Sequence, residues 1–285
     1  MTNLPGAGLL AEKALGISRE RDLPMFERRT FAKRVADRDP AVPADEATRR
    51  AVLVPDVYTN HEYPAAGEAA LDVLEAAGVR VEVADPRDVG RPAFSKGMLD
   101  LAAEKARGTV DGLAPLVEDG WDVVLIEPSD AVMLQSDYRD LLSGPAVDRI
   151  AASTYGVCEY LDRFDLDAEL AFDASNDHLV YHGHCHQKAH AKDHHAVGVL
   201  RRAGYAVDPL DSSCCGMAGS FGYEAEHYSM SAAIGAVLYD QVDDSEGDRV
   251  VAPGASCRTQ LGDRPGAIGD PATPIEVVAE AVDRS

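Results

Sequence analysis

An α/β architecture is expected: a tandem repeat of two Rossmann-like units with mainly parallel sheets, preceded by a short helical arm. Three observations predict it. From Ala51 onward, short apolar runs alternate with stretches of helical periodicity, the βαβ order of a parallel sheet. The alternation runs twice, with Leu74-Glu75-Ala76-Ala77-Gly78 answered by Leu200-Arg201-Arg202-Ala203-Gly204 at an offset of 126 residues (204 − 78). At 285 residues the chain also exceeds the usual single-domain size, leaving room for two cores.

Residues 1–48 are polar and mixed, a helical leader arm with a short helix over Leu9 to Leu15 and another from Met25 to Val35, just after Pro24. Residues 49–145 form the first copy. Val52-Leu53-Val54 is a strand, Ala65 to Ala77 a helix closed by Gly78, and Val79 to Val83 a second strand. Met98 to Val117 is a long helix, Trp121 to Ile126 a strand and Ser136 to Leu142 a further helix. Residues 146–177 read as a helix around Cys158 followed by an acidic linker, Asp162 to Asp177. Residues 178–285 repeat the order. His178 to Tyr181, Tyr205 to Asp208 and Arg249 to Ala252 are strands; Asp193 to Ala203, closed by Gly204, and Tyr223 to Asp240 are helices.

The charge excludes several functions. Acidic side chains number 49 against 27 basic ones, a formal net charge of −22. Such a surface repels nucleic acid and anionic lipid, whose recognition needs basic side chains on phosphate. Spread over the whole chain, the acidity reads as solvation. No run of about 18 apolar residues is present to span a bilayer, so a cytoplasmic protein is expected, or one held at the inner face of the membrane by a partner.

In a reducing compartment, cysteines at readable spacings suggest metal or redox work more than disulfides. There are five: Cys158, Cys185, Cys214, Cys215 and Cys257. Adjacent Cys214 and Cys215 can serve one centre only if the backbone turns, and Gly216 permits the turn. Under the repeat offset, Asp88-Val89-Gly90 falls on Cys214-Cys215-Gly216 and Thr59 on Cys185. One inserted residue later, Asp130 falls on Cys257. Only the second copy carries thiolates. Cys185, Cys214, Cys215 and Cys257 follow strands, where open α/β sheets bind ligands, so four thiolates can converge there. Such sets hold zinc or iron with sulfide; unlinked core cysteines are the other reading. Cys158, on a helix, is read as core.

Three segments carry a resemblance. His182-Gly183-His184-Cys185-His186-Gln187, the run from Cys214-Cys215-Gly216 to Tyr228, and Gly254-Ala255-Ser256-Cys257 resemble the cysteine-rich CCG domain. That domain occurs in heterodisulfide reductase, in the iron-sulfur subunits of glycolate oxidase and anaerobic glycerol-3-phosphate dehydrogenase, and at the end of FAD-linked D-lactate dehydrogenases. Gly90-Arg91-Pro92, Ser95-Lys96-Gly97 and Glu127-Pro128-Ser129 resemble the domain's first copy, so the resemblance covers roughly residues 50–285. It implies an iron-sulfur cluster, of 4Fe-4S type, on the four cysteines. It implies FAD on a partner dehydrogenase subunit or domain acting on a small 2-hydroxy acid (D-lactate or glycolate) or glycerol 3-phosphate, with a ferredoxin-type subunit as a further partner. The domain often closes with Cys-x-x-Cys, whereas this chain has Cys257-Arg258-Thr259-Gln260 and lacks a fifth thiolate. With no glycine-rich dinucleotide fingerprint, flavin is not expected on this chain, and no catalytic residue is assigned.

The histidines take supporting roles. His182, His184 and His186 alternate along an extended run, on the face opposite Cys185, and are expected to hydrogen-bond around the centre; His184 and His186, with Gly216, are counted among the cofactor-binding residues. His227 is placed at the site from the start of its helix, with a capping or core role as the other reading. Two rival functions remain open: a zinc-stapled structural or interaction protein, and a thiol/disulfide reductase using Cys214 and Cys215.

Overall fold

The computed structural model describes residues 12–173 and 177–283. Among them, seven strands form two sheets in which every pairing is parallel. The first contains β1 (Arg49–Leu53), β2 (Val79–Val83), β3 (Asp122–Leu125) and β4 (Thr154–Gly156), in the order β2-β1-β3-β4. The second contains β5 (His178–Tyr181), β6 (Ala206–Pro209) and β7 (Arg249–Val251), in the order β6-β5-β7. Parallel neighbours require crossovers, and helices supply them. The helices of the first unit are α1 (Phe31–Val35), which precedes β1, α2 (Val57–His61), α3 (Pro64–Ala76), α4 (Arg91–Ser95), α5 (Leu99–Glu118), α6 (Pro128–Val132), α7 (Tyr138–Leu141), α8 (Pro145–Ala152) and α9 (Val157–Arg163), which follows β4. In the second they include α10 (Cys185–Ala189), α11 (His194–Arg202), α12 (Tyr228–Asp243), α13 (Ala255–Gly262) and α14 (Pro274–Ala281).

Side-chain alternation along the central strands assigns the faces. Ala51 and Leu53 of β1, and Leu179 and Tyr181 of β5, point into one core that runs between the sheets and includes α3, α9, α11 and α14. Val52 points to the other face of the first sheet, against α5. Val180 points to the outer face of the second, in a small core with Cys215, Met217, Cys257, Leu238 and Leu261. The two units are thus joined by a common interior, and two of the cysteines belong to the outer core of the second.

Hydrogen bonds fix the correspondence between the copies and correct one pairing. Val54 N donates to Val124 O at 3.0 Å, and His182 N to Val251 O at 3.0 Å. Ala84 N donates to Leu53 O at 2.9 Å, and Leu210 N to Tyr181 O at 2.9 Å. The offset is therefore 128 at β5 (181 − 53), 126 at β6 (210 − 84) and 127 at β7 (251 − 124). Cys185 corresponds to Val57, not Thr59, because the offset at β5 exceeds that at β6 by two residues. Asp56 and His184 are then equivalent, and each caps the helix that follows. Gly90 and Gly216 remain equivalent, with left-handed φ of 94° and 93°. A Cβ on Gly216 would lie 2.6 Å from Ser231 O, so the turn beside the cysteine pair admits glycine alone.

Two segments differ from expectation. The stretch read as helix and linker contains β4, and its acids are engaged: Asp162 bonds His195 at 2.6 Å and also Arg202, and buried Asp167 accepts from Arg202 Nε at 2.5 Å. Leu166 beside them is buried in the common core. In the arm, residues 12–15 are helical and end at left-handed Gly16, as expected for the part of the 9–15 helix that lies within the described residues, whereas the helix expected from Met25 is confined to α1, where Thr30 caps Lys33 N. The rest of the arm is held by the chain itself. Ser18 N donates to Tyr223 O at 2.7 Å, Ala225 N to Gly16 O at 2.8 Å, and the Phe31 ring packs on Gly67.

Candidate metal centre

Each cysteine reaches the carboxyl edge of the second sheet by a different route. The chain leaves β5 extended through His182 and Gly183, and His184 caps α10, its Nδ1 accepting from His186 N at 3.2 Å. Cys185 is the first residue of that helix. Cys214 and Cys215 lie in the loop after β6, where left-handed Gly216 turns its N–H onto Cys214 Sγ at 3.3 Å. Cys257 sits in the first turn of α13, whose capping Gly254 allows the His184 ring to approach so closely that a Cβ there would fall 2.4 Å from its Cδ2.

The four sulfurs form one connected group. The Cys185 and Cys215 thiols bond Cys214, holding its pKa down at about 2. Cys215 also bonds Cys257, whose pKa lies well below that of an ordinary thiol. Acting as donors, Cys185 and Cys215 are pushed up. The sulfurs thus run as a chain of contacts from Cys185 through Cys214 and Cys215 to Cys257, and a soft cation at their centre would take the place of the shared protons. Cys215 and Cys257 are buried, while Cys185 and Cys214 are partly open. Cys158 stands apart in the common core, its pKa pushed up to about 12 by burial, as its reading as a core residue expects.

The histidines are arranged differently from the extended-run expectation. The helix begins at Cys185, so His186 leaves the face shared by His182 and His184. Its ring meets His184 edge-on at 5.1 Å, and burial lowers its pKa to about 4. His227 is not brought to the sulfurs: it stacks on Phe221 at 4.2 Å and bonds Glu224 at 2.8 Å, at the start of α12. His182, read only as one of three supporting histidines, is fully buried and groups with Cys215 and Cys257. Its signal was its place one residue beyond the strand, where a side chain turns inward.

Residues outside the motifs complete the site. Lys188 Nζ donates to Leu210 O at 3.1 Å and Ser212 O at 2.6 Å, fixing the approach to the cysteine pair. From the first unit, Glu127 accepts from Ser129 N at 3.1 Å through one oxygen and from Ala255 N at 2.9 Å through the other. It caps its own helix and the helix that carries Cys257.

A family comparison agrees with this geometry. Residues 179–262 match the cysteine-rich domain CCG. That segment contains all four grouped cysteines. Among curated proteins, the chain is 27% identical over 266 residues to a subunit of anaerobic glycerol-3-phosphate dehydrogenase of Escherichia coli, covering 91% of this chain and 66% of that protein. It is 22% identical over 271 residues to D-2-hydroxyglutarate dehydrogenase of Escherichia coli, covering 91% of this chain and 26% of that one. It is 24% identical over 233 residues to lactate utilization protein A of Geobacillus thermodenitrificans, covering 77% of this chain and 90% of its relative. The chain thus spans just under two thirds of the first of these proteins and about a quarter of the second. No helix among the described residues is long and apolar enough to cross a membrane.

Proposed function

We propose that the cysteine-rich domain holds an iron-sulfur cluster, of 4Fe-4S type, on Cys185, Cys214, Cys215 and Cys257, and relays electrons for an FAD-linked dehydrogenase. The observation that carries this reading is the connected group of four sulfurs at the carboxyl edge of one parallel sheet, within the segment that matches the CCG domain. Residues 49–145 and 178–285 are read as two copies of one unit, the first without thiolates. An iron-sulfur cluster would accept and release single electrons. The chain's own part is to bind and to tune: four thiolates would hold the metal, Gly216 N–H donates to Cys214 Sγ, and the partly open Cys185 and Cys214 would be the sulfurs nearest to a partner. FAD would reside on that partner. The relatives' names point to glycerol 3-phosphate or a small 2-hydroxy acid as the fuel it oxidises.

The test is iron and acid-labile sulfide analysis of anaerobically purified protein, with electron paramagnetic resonance during a redox titration. Cys215→Ala is expected to lose most of the iron and the visible absorption, and Cys158→Ala to keep both. Equal effects of the two substitutions, or a zinc-loaded protein silent at every potential, would overturn the reading.

A further inference from the structure

We infer that His182 is a fifth protein ligand of this centre, binding metal through Nε2 beside Cys215 and Cys257. The inference rests on the metal-centre reading above and adds a nitrogen donor to it. His182 is 0% exposed. Its Nδ1 lies 2.6 Å from Ser212 Oγ, which also receives an N–H from Lys188 at 3.2 Å. The proposal assigns the ring proton to Nδ1, donated to that oxygen, and so the lone pair to Nε2. Among the described residues Nε2 has no hydrogen-bond partner of ordinary geometry, although it is buried. Leaving such an acceptor bare is costly, because burial has removed its water and put nothing in its place. Nε2 and the sulfurs of Cys215 and Cys257 all lie within 4.8 Å of one another, close enough to serve one metal centre. Donation of an N–H to the Cys257 sulfur is the other use of such a ring, and it would help to hold that thiol low. A neutral imidazole that gives its one proton to Ser212 has none left for sulfur.

A second observation concerns the neighbouring side chains. One turn beyond Cys257, Gln260 is directed away from the sulfurs. Its Oε1 accepts from Arg21 at 2.7 Å and its Nε2 donates to Tyr239 Oη at 2.7 Å. His184 is also committed, capping α10 through Nδ1 with its Nε2 3.9 Å from Glu127. His186 turns toward the first unit. His186 Nδ1 is also buried without a partner, but of the two rings it is His182 whose free nitrogen groups with the sulfurs of Cys215 and Cys257, held by a serine that is itself held by Lys188.

The experiment is pulsed electron paramagnetic resonance on full-length, anaerobically purified protein carrying histidine labelled with nitrogen-15, poised in its paramagnetic state. The expected result is a directly bound nitrogen coupling that changes isotope with the label. It persists in His184→Ala and His186→Ala and disappears in His182→Ala, while iron content stays above half of wild type. Should His182→Ala fail to fold, His182→Cys supplies a soft donor of smaller volume and is expected to keep iron without the nitrogen coupling. An iron-loaded wild type with no bound-nitrogen coupling, or a coupling that survives in both His182 variants, overturns the inference alone. Protein without iron overturns the reading on which it rests.

Discussion

At the scale of single residues, the first copy shows what its equivalent positions become without sulfur. Asp56, the counterpart of His184, is 1% exposed and accepts from Tyr58 N at 2.8 Å, Thr59 N at 2.9 Å and Thr59 Oγ1 at 2.5 Å. Burial, reinforced by the nearby Glu127, raises its pKa from 3.8 to about 6. The folded state therefore holds this proton more tightly than the unfolded one. Its stabilising contribution is full below about pH 4 and is lost as pH rises through 6, by roughly 3 kcal/mol at about 1.4 kcal/mol per unit. Asp56→Asn keeps an acceptor for the two backbone N–H groups and has no charge to bury. Urea unfolding of both proteins is expected to give a difference that grows in favour of the variant between pH 4 and 7. A difference independent of pH would count against the buried-proton account.

At the scale of elements, the arm is the least legible segment and among the most connected. Arg21 is buried and donates to Gly222 O at 3.2 Å, Ser231 Oγ at 3.0 Å and Gln260 Oε1 at 2.7 Å, with Asp263 as its counter-ion. One guanidinium so ties the loop after the cysteine pair to α12 and α13. Arg21→Ala removes the charge and leaves these acceptors without their donor, an expected loss of about 3 kcal/mol. Thermal denaturation checks this, and a change under about 1 kcal/mol would mean that the arm merely covers the site.

The strands and long helices were readable because local signals and tertiary needs agreed there: apolar runs became central strands, and Gly78 and Gly204 closed helices. That the four cysteines lie together was readable from their places after strands, although the repeat offset mispaired Cys185. The arm carries no periodicity, because its order comes from single long-range bonds such as those of Arg21, which leave no pattern along a sequence. The role of His182 was obscured for a related reason. An extended-strand alternation was carried past His184, where the chain had already turned into a helix.

At the scale of the molecule, the shared interior makes the two units energetically one. Helices α3 and α14, from opposite copies, pack against each other, and the common core includes side chains of β1 and β5 alike. Unfolding either unit exposes the apolar face of the other. Scanning calorimetry is therefore expected to record one cooperative transition, with calorimetric and van't Hoff enthalpies equal, for the chain without metal. Two separated transitions would indicate that each copy folds by itself.

Glu127 gives this union a mechanical meaning. Its carboxylate caps a helix in each copy, and one of those helices carries Cys257. The unit without the grouped sulfurs serves as a wall against which the other closes. Selection on that half should accordingly follow mechanical rather than chemical lines. In a library of single substitutions scored by iron retained, Asp88 and the exposed Val57, the counterparts of Cys214 and Cys185, should accept many residues. Glu127, far from any sulfur in the sequence, should tolerate almost none.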